Sequence, residues 1–135
     1  MAGSRRSRPA ERGGQSSTPD VDDVRAAVAD ALAQALPGGG RVGIALSGGR
    51  DSIVLLDAAH AVAAALSCEI VGLHVHHGLS PNADAWAAFC RSACDRRGVA
   101  YAMRRVHVQR TPRASLEAAA RAARYAALAA LADEQ

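Results

Sequence analysis

The sequence predicts an α/β fold, in which helices cover a parallel sheet. Three observations predict it. Short apolar segments at 41–46, 69–75 and 99–108 have the length and composition of strands. Each is followed by a turn and then by a longer segment with helical periodicity. Strands that alternate with helices of this length pair in parallel through right-handed crossovers.

Length and composition are those of one small globular domain. The chain has 135 residues, of which 50% are apolar and 21% charged, and one domain of typical size accounts for all of them. No uninterrupted apolar run approaches the roughly 20 residues that cross a membrane, so we expect no membrane-spanning segment. With 33 alanines but one Phe, one Trp and two Tyr, the core is expected to consist of small aliphatic side chains.

Positive charge is concentrated in two parts of the chain. Residues 1–17 carry four arginines against one acid and combine Gly, Ser and Pro without apolar periodicity, so we expect a disordered arginine-rich arm before a domain at 18–135. Residues 91–124 contain nine arginines against two acids. That stretch suggests a polyanionic partner, and the alternative is a set of arginines scattered over solvated helix faces.

The first helix is expected to begin just after the arm. Thr18 is the predicted cap, with Pro19 at the first helical position. Apolar residues then recur at three- and four-residue steps, at Val21, Val24, Val28, Leu32 and Leu36. Pro37 and three glycines end the helix.

Three further helices follow the three strands. They are predicted at 52–66, at 83–97 with Gly98 closing it, and at 116–134 after a turn at 111–115.

The loop after the first strand has the composition of an anion-binding turn. It reads S-G-G-R-D-S from Ser47 to Ser52, and we call these six residues the serine loop. Paired glycines allow the backbone to approach a ligand closely, and the following helix points its free N–H groups at it. Asp51 beside a phosphate suggests Mg²⁺ held jointly with a polyphosphate. The simpler alternative is an ordinary strand-to-helix turn with a Ser or Asp cap.

Two other nucleotide-binding loops are excluded. A Walker-type loop needs a lysine, and the chain has none. The pattern G-x-G-x-x-G from Gly38 to Gly43 precedes its strand, whereas a dinucleotide fingerprint follows one.

Three ordered motifs carry a resemblance to known enzymes. The S-G-G-x-D-S pattern resembles the pyrophosphate-binding loop of the N-type ATP pyrophosphatases, the PP-loop family, which cleave ATP between the α and β phosphates and adenylate a substrate. Residues 74–86, HVHHGLSPNADAW, resemble the corresponding stretch of the tRNA(Ile)-lysidine synthetases. Residues 116–125 resemble the E-x-x-x-R-x-x-R-Y helix of that family, and the likeness extends over residues 41–130.

The resemblance implies a Rossmann-like, three-layer fold of the PP-loop type. The family continues with further strands and tRNA-binding regions, so we expect only the first half of the sheet, with strand order 3-2-1, in a truncated N-terminal part. The first strand would then be an exposed edge. Weak or no activity is expected of this chain alone.

The resemblance also implies a two-step reaction that uses ATP and Mg²⁺. The wobble cytidine of tRNA(Ile) is adenylated, and free L-lysine then displaces AMP to form lysidine. The pyrophosphate would be held by Ser47, Gly48, Gly49, Asp51 and Ser52, with Asp51 also binding Mg²⁺. Arg50 occupies the variable position of the motif and adds a cation beside the phosphates.

Other candidate residues lie in the second and third motifs. By resemblance, His76 and His77 line the adenosine site. Glu117, Arg121 and Arg124 recur at helical spacing and would border the tRNA base and lysine. An arginine there would stabilise the adenylate, and Glu117 would meet an arginine or the lysine ammonium. The alternative is an ion pair on the helix surface.

Some residues have simpler interpretations. The three histidines at 74, 76 and 77 lack a carboxylate or cysteine at zinc-ligand spacing. Trp86 and Phe89 are predicted to pack in the core, with base stacking as the alternative. Cys68, Cys90 and Cys94 are predicted to be packed thiols.

Three hypotheses for function remain at this point. The first is the N-terminal part of a tRNA-modifying, ATP-dependent ligase. The second is a relative with other chemistry, such as a tRNA thiolation or amide-forming enzyme, and the third is an inactive nucleotide-binding module. We expect a cytoplasmic protein, because the sequence has no recognisable export signal. The resemblance leaves room for a homodimer of the longer form.

Overall fold

The computed structural model describes residues 18–108 and 116–135. Helices and strands alternate through them as the sequence predicts. In chain order they are α1 (Val21–Ala35), β1 (Gly40–Ala45), α2 (Arg50–Ala63), β2 (Cys68–His76), α3 (Ala83–Asp95), β3 (Ala100–Arg105) and α4 (Leu116–Glu134), with a 3-10 turn (Ala64–Leu66) after α2. The predicted bounds of α4 are confirmed. The arginine-rich arm at 1–17 and the turn predicted at 111–115 lie outside the described residues.

The three strands form one parallel sheet with β2 in the centre. Ile44 of β1 pairs with Gly72 of β2, and Leu73 of β2 pairs with Ala102 of β3. The predicted α/β class and the order 3-2-1 are therefore confirmed. Within the described part of the chain, β1 is an edge strand. No described helix combines the length and the hydropathy needed to cross a bilayer.

Helices cover both faces of the sheet, which gives the expected three layers. On one face, Leu56 of α2 and Cys90 of α3 are fully buried against Ile44 of β1. On the other, Leu131 of α4 packs against Leu73 of β2. The buried set is rich in alanine and other small side chains, as the composition predicts.

Gly72 lies at a close contact between β2 and α3. A Cβ atom at this position would lie 2.4 Å from Cys94 Sγ and 2.9 Å from Leu46 Cδ1. Both neighbours are buried in the core, so they have little room to move. The bare backbone of Gly72 therefore sets how close α3 lies to β2.

Substituting Gly72 with alanine is expected to destabilise the fold by about 2 kcal/mol, because an extra methyl group overpacks a filled core. Chemical denaturation measures the effect. Gly38→Ala is the matched control, since a Cβ there has nothing within 4 Å, and it should change stability little. Equal stabilities of the two variants would show that α3 can move away from the sheet.

The start of α1 differs from the prediction. Its cap is Asp20, whose side chain accepts from Val21 N–H at 2.6 Å, while Asp23 accepts from Asp20 N–H at 3.2 Å. The prediction of a Thr18 cap with Pro19 as first helical residue is wrong. This reciprocal pair of aspartates satisfies two terminal N–H groups, which a threonine two residues earlier cannot reach.

The prediction that Trp86 and Phe89 pack in the core is also wrong. They are 39% and 44% exposed. The buried stripe of α3 runs instead through Cys90, Ala93 and Cys94, which fill the space against the sheet. Cys90 and Cys94 are free and completely buried, and Cys68 is half-buried, so the prediction of packed thiols is confirmed.

Candidate functional site

The serine loop is held together by the hydroxyl groups near its two ends. Gly49 N–H donates to Ser47 Oγ at 3.1 Å, Ser47 Oγ donates to Ser52 Oγ at 3.3 Å, and Ser52 Oγ donates to the Gly49 carbonyl at 2.9 Å. Ser47 N–H also donates to Ser52 Oγ, at 3.2 Å. The bonds form a closed ring, which fixes the curvature of the loop before any ligand binds.

Gly48 adopts a backbone conformation that glycine alone accommodates easily. Its φ is +90°, and a Cβ here would lie 3.1 Å from Trp86 Cβ and 3.2 Å from Trp86 Cγ. The indole of α3 thus lies directly against the loop. Burial raises the pKa of the Cys90 thiol on the same helix to about 11, although a hydrogen bond from the Gly48 backbone lowers this pKa.

The first turn of α2 faces the same space as the loop. Gly49 caps this helix without a side-chain hydrogen bond, so the amide groups of the first turn lack both a capping side chain and carbonyl partners within the helix. Arg50 and Asp51 begin the helix and are exposed. Free N–H groups and the positive end of the helix dipole favour an anion at this place.

A cavity of about 340 Å³ opens beside the serine loop at the carboxyl ends of the strands. Residues from β1, β2, α3 and α4 enclose it. They are Ala45, Leu46, Ser47, His74, Val75, His76, His77, Ala83, Trp86, Arg124, Tyr125 and Leu128. Open parallel sheets bind ligands at this end, and the volume lies within the range of small-molecule sites.

His74 is a buried polar side chain in the wall of this cavity. It is 4% exposed, and its Nδ1 lies 2.6 Å from the carbonyl oxygen of Leu46. A carbonyl oxygen can only accept, so Nδ1 carries the proton. Burial lowers the pKa of His74, while the bond to Leu46 acts in the opposite direction. The imidazole is therefore neutral near pH 7.

The lowered pKa of His74 predicts a pH dependence of stability. The unfolded chain takes up a proton at His74 below its ordinary value of 6.5, and the folded chain resists this. The free energy of unfolding should therefore fall as the pH is lowered through 6.5 toward the folded pKa. Denaturation at pH 7.5 and 5.5 should show a smaller loss in His74→Asn than in the unsubstituted chain. An equal loss in both would contradict this assignment.

His76 extends the polar wall toward α3 and β3. It is 7% exposed, and its Nε2 lies 2.7 Å from Asp84 Oδ1, which also accepts from Arg105 at 3.3 Å. The hydrogen bond to His76, followed by that to Arg105, lowers the pKa of Asp84. Asp84 therefore remains a carboxylate and fixes the orientation of the His76 ring.

Helix α4 supplies the last wall. Arg124 and Tyr125 line the cavity, and the guanidinium carbons of Arg121 and Arg124 lie 5.6 Å and 5.7 Å from the centre of the Tyr125 ring. Arg121 and Glu117 are exposed on the same helix and lie outside the cavity lining. Of the three charged residues predicted on this helix, the structure brings one into the cavity.

Part of the arginine-rich stretch is paired with acidic side chains of the same chain. Its ion pairs join Arg97 to Asp57, Arg104 to Glu134 and Arg105 to Asp84. Arg91, Arg96 and Arg121 are exposed, and the residues at 110 and 113 lie outside the described part of the chain. The local positive charge is therefore smaller than the residue count suggests.

Comparison with protein families identifies the domain. A family model described as the PP-loop domain matches residues 22–135. The chain belongs to the PP-loop domain family. The resemblance to the PP-loop family that the sequence motifs predict is therefore confirmed.

Several curated relatives carry the same name. The tRNA(Ile)-lysidine synthase of Azoarcus sp. (strain BH72) is 50% identical over 91 residues, which are 67% of this chain and 20% of the relative. That of Ralstonia nicotianae is 46% identical over 117 residues, 84% of this chain and 25% of the relative. That of Burkholderia mallei is 50% identical over 94 residues, which are 70% of this chain and 19% of the relative. This PP-loop domain thus spans a fifth to a quarter of the curated relatives it matches.

The residues of the domain fit Mg²⁺ only together with phosphate. Among the described residues, no three His, Cys, Asp or Glu side chains come together as a metal site. Mg²⁺ is usually held by one or two carboxylates, with substrate phosphates and water completing the coordination. Asp51, a single exposed carboxylate in the first turn of α2, fits this arrangement.

Proposed function

We propose that this chain is the ATP-binding part of an enzyme that modifies tRNA(Ile). In the proposed reaction the wobble cytidine is adenylated with ATP, and free L-lysine then displaces AMP to form lysidine. Membership of the PP-loop family and the shared name of the relatives support the proposal. The observation that carries it is the pre-formed serine loop opening on a cavity at the carboxyl ends of the strands.

The serine loop would bind the phosphates of ATP. Backbone N–H groups from Ser47 to Ser52, Gly48 and Gly49 included, and the positive end of α2 would stabilise the negative charge that develops as pyrophosphate leaves. Because the loop is already closed by its own hydroxyl groups, little ordering would accompany binding. Asp51 would hold Mg²⁺, which when bound supplies further positive charge, and Arg50 would add a second cation.

The cavity would take the nucleoside. His76 and His77 line it from β2 and its following loop, and Trp86 forms a wall that also contacts the serine loop. A ligand in the cavity would thus lie next to the phosphates. This continuity favours one nucleotide with its phosphates on the loop and its base between α3 and α4.

Helix α4 would face the second substrates. Arg124, in the cavity wall, would stabilise the adenylated cytidine. We propose Arg121, whose guanidinium carbon lies 5.6 Å from the centre of the Tyr125 ring, as a second catalytic cation. Glu117, one turn earlier on the helix, would bind the ammonium group of lysine. The geometry favours Arg124 most, because it is the one of the three that lines the cavity.

Other PP-loop chemistry remains the second candidate. A tRNA thiolation or amide-forming enzyme would use the same serine loop. The shared name of the relatives, at 46% identity over 117 residues and 50% over 91, favours lysidine formation. A cytoplasmic location and a homodimer of the longer protein stay predictions.

A chimera tests the proposed reaction, because the chain alone is expected to show weak or no turnover. The matched segment of the Ralstonia nicotianae tRNA(Ile)-lysidine synthase is replaced by the corresponding residues of this chain, and lysidine in tRNA(Ile) is measured by mass spectrometry. The chimera is expected to form lysidine, and its Asp51→Asn variant is not. A folded chimera that binds ATP without modifying tRNA would contradict the proposed reaction. The 135-residue chain alone should show weak or no turnover.

A further inference from the structure

His74 presents a hydrogen-bond acceptor to the cavity. Its Nδ1 proton is committed to the Leu46 carbonyl, and the neutral ring therefore carries a lone pair on Nε2. Within the described residues, no buried side-chain nitrogen or oxygen lacks a partner. His74 Nε2 makes no hydrogen bond, so it is not fully buried and must be in contact with solvent. Because His74 lines the cavity, we infer that this contact is made there.

Several other polar side chains of the cavity are already engaged. Ser47 Oγ belongs to the closed ring of the serine loop, His76 is bonded to Asp84, and His77 Nδ1 accepts from Leu79 N–H at 3.2 Å. Arg124 offers only donors. A ligand that presents an N–H donor therefore finds an unengaged acceptor at His74.

We propose that His74 selects the base of the bound nucleotide by accepting a hydrogen bond from the exocyclic amino group of adenine. The proposal rests on the ATP binding proposed above. The serine loop and His74 border one cavity, which favours the base of the triphosphate itself over a base of a second substrate. A guanine would bring its carbonyl oxygen to this place, and two acceptors would then face each other.

The position of His74 makes this selection rigid. His74 lies on β2, and its ring is held by the hydrogen bond to the carbonyl oxygen of Leu46 at the end of β1. The ring cannot rotate to offer a donor to the ligand without breaking this buried hydrogen bond. A bound base that covers this acceptor without donating a hydrogen bond to it loses binding free energy. Nucleotides without the amino group should therefore bind more weakly.

Binding is measured by the fluorescence of Trp86, the single tryptophan of the chain, which lines the same cavity. ATP, GTP and purine riboside triphosphate, which lacks the amino group, are titrated with Mg²⁺. ATP is expected to bind about tenfold more tightly than purine riboside triphosphate, the value of one hydrogen bond of about 1.4 kcal/mol, and GTP more weakly still.

The variant His74→Asn assigns the selection to one residue. Its side-chain amide can still donate to the Leu46 carbonyl but does not reach the position of Nε2. It should bind ATP and purine riboside triphosphate with equal affinity, while His60→Asn, on the exposed part of α2, should keep the tenfold difference.

Three outcomes overturn the proposal, and they are distinguishable. Equal binding of ATP and purine riboside triphosphate by the unsubstituted chain would show that the amino group is not read. An unchanged preference in a folded His74→Asn would assign it to another acceptor. If no nucleotide binds at all, the proposed function fails together with this inference.

Discussion

Replacing Gly48 with alanine is expected to lower the affinity for ATP by a factor of about one hundred or more. A side chain at φ +90° is strained, and the new methyl group would lie 3.1 Å from Trp86 Cβ. The loop must then shift away from α3, which displaces the N–H groups that surround the phosphates. Calorimetric titration with ATP and Mg²⁺ measures the loss.

Gly98→Ala is the control that separates the effect of backbone strain from the effect of the contact with Trp86. Gly98 has φ +63°, and a Cβ atom there would have nothing within 4 Å. Gly98→Ala therefore carries a comparable backbone penalty of about 1–2 kcal/mol far from the loop, and it should lose stability but keep ATP binding. If Gly48→Ala binds ATP as tightly as the Gly98 variant, the loop does not hold the phosphates.

Replacing Asp51 with asparagine is expected to weaken ATP binding in the presence of Mg²⁺ and to strengthen it in its absence. The carboxylate is exposed at the start of α2, so its removal should leave the fold unchanged. With Mg²⁺ the variant should bind ATP about tenfold or more weakly than the unsubstituted chain. With EDTA it should bind ATP more tightly, because a negative charge beside the phosphates has been removed.

Titrations with Mg²⁺ and with EDTA reveal this change of sign. Asp30→Asn, which removes an exposed carboxylate of α1, is the control for net charge. Its effect on ATP affinity should not change sign between Mg²⁺ and EDTA. A variant at Asp51 that binds ATP more weakly under both conditions would argue against a metal at this residue.

Much of the fold can be predicted from the sequence because its signals are local. The bounds of α4 follow from an uninterrupted helical pattern, and the serine loop follows from six consecutive residues. The parallel order of the strands follows from the alternation of strands and helices. These features depend on residues that are close together in the chain.

Features that depend on distant contacts cannot be predicted in the same way. Helical spacing alone places Trp86 in the core, whereas its contact with Gly48 requires α3 to lie beside the serine loop. Sequence reasoning misses Asp84 and Arg105 as partners of His76, since they come from different elements. The N-A-D-A-W motif holds the one usable signal, an aspartate on the first turn of α3.

The central claim is that backbone amides of the serine loop bind the phosphates of ATP. Two-dimensional ¹⁵N–¹H NMR of the chain, titrated with ATP and Mg²⁺, tests it most directly. The amide resonances of Gly48, Gly49 and Ser52 are expected to shift in a saturable manner, together with the indole resonance of Trp86. Shifts that leave these amides unchanged and fall instead on Arg91 and Arg96, at the C-terminal end of α3, would contradict the account.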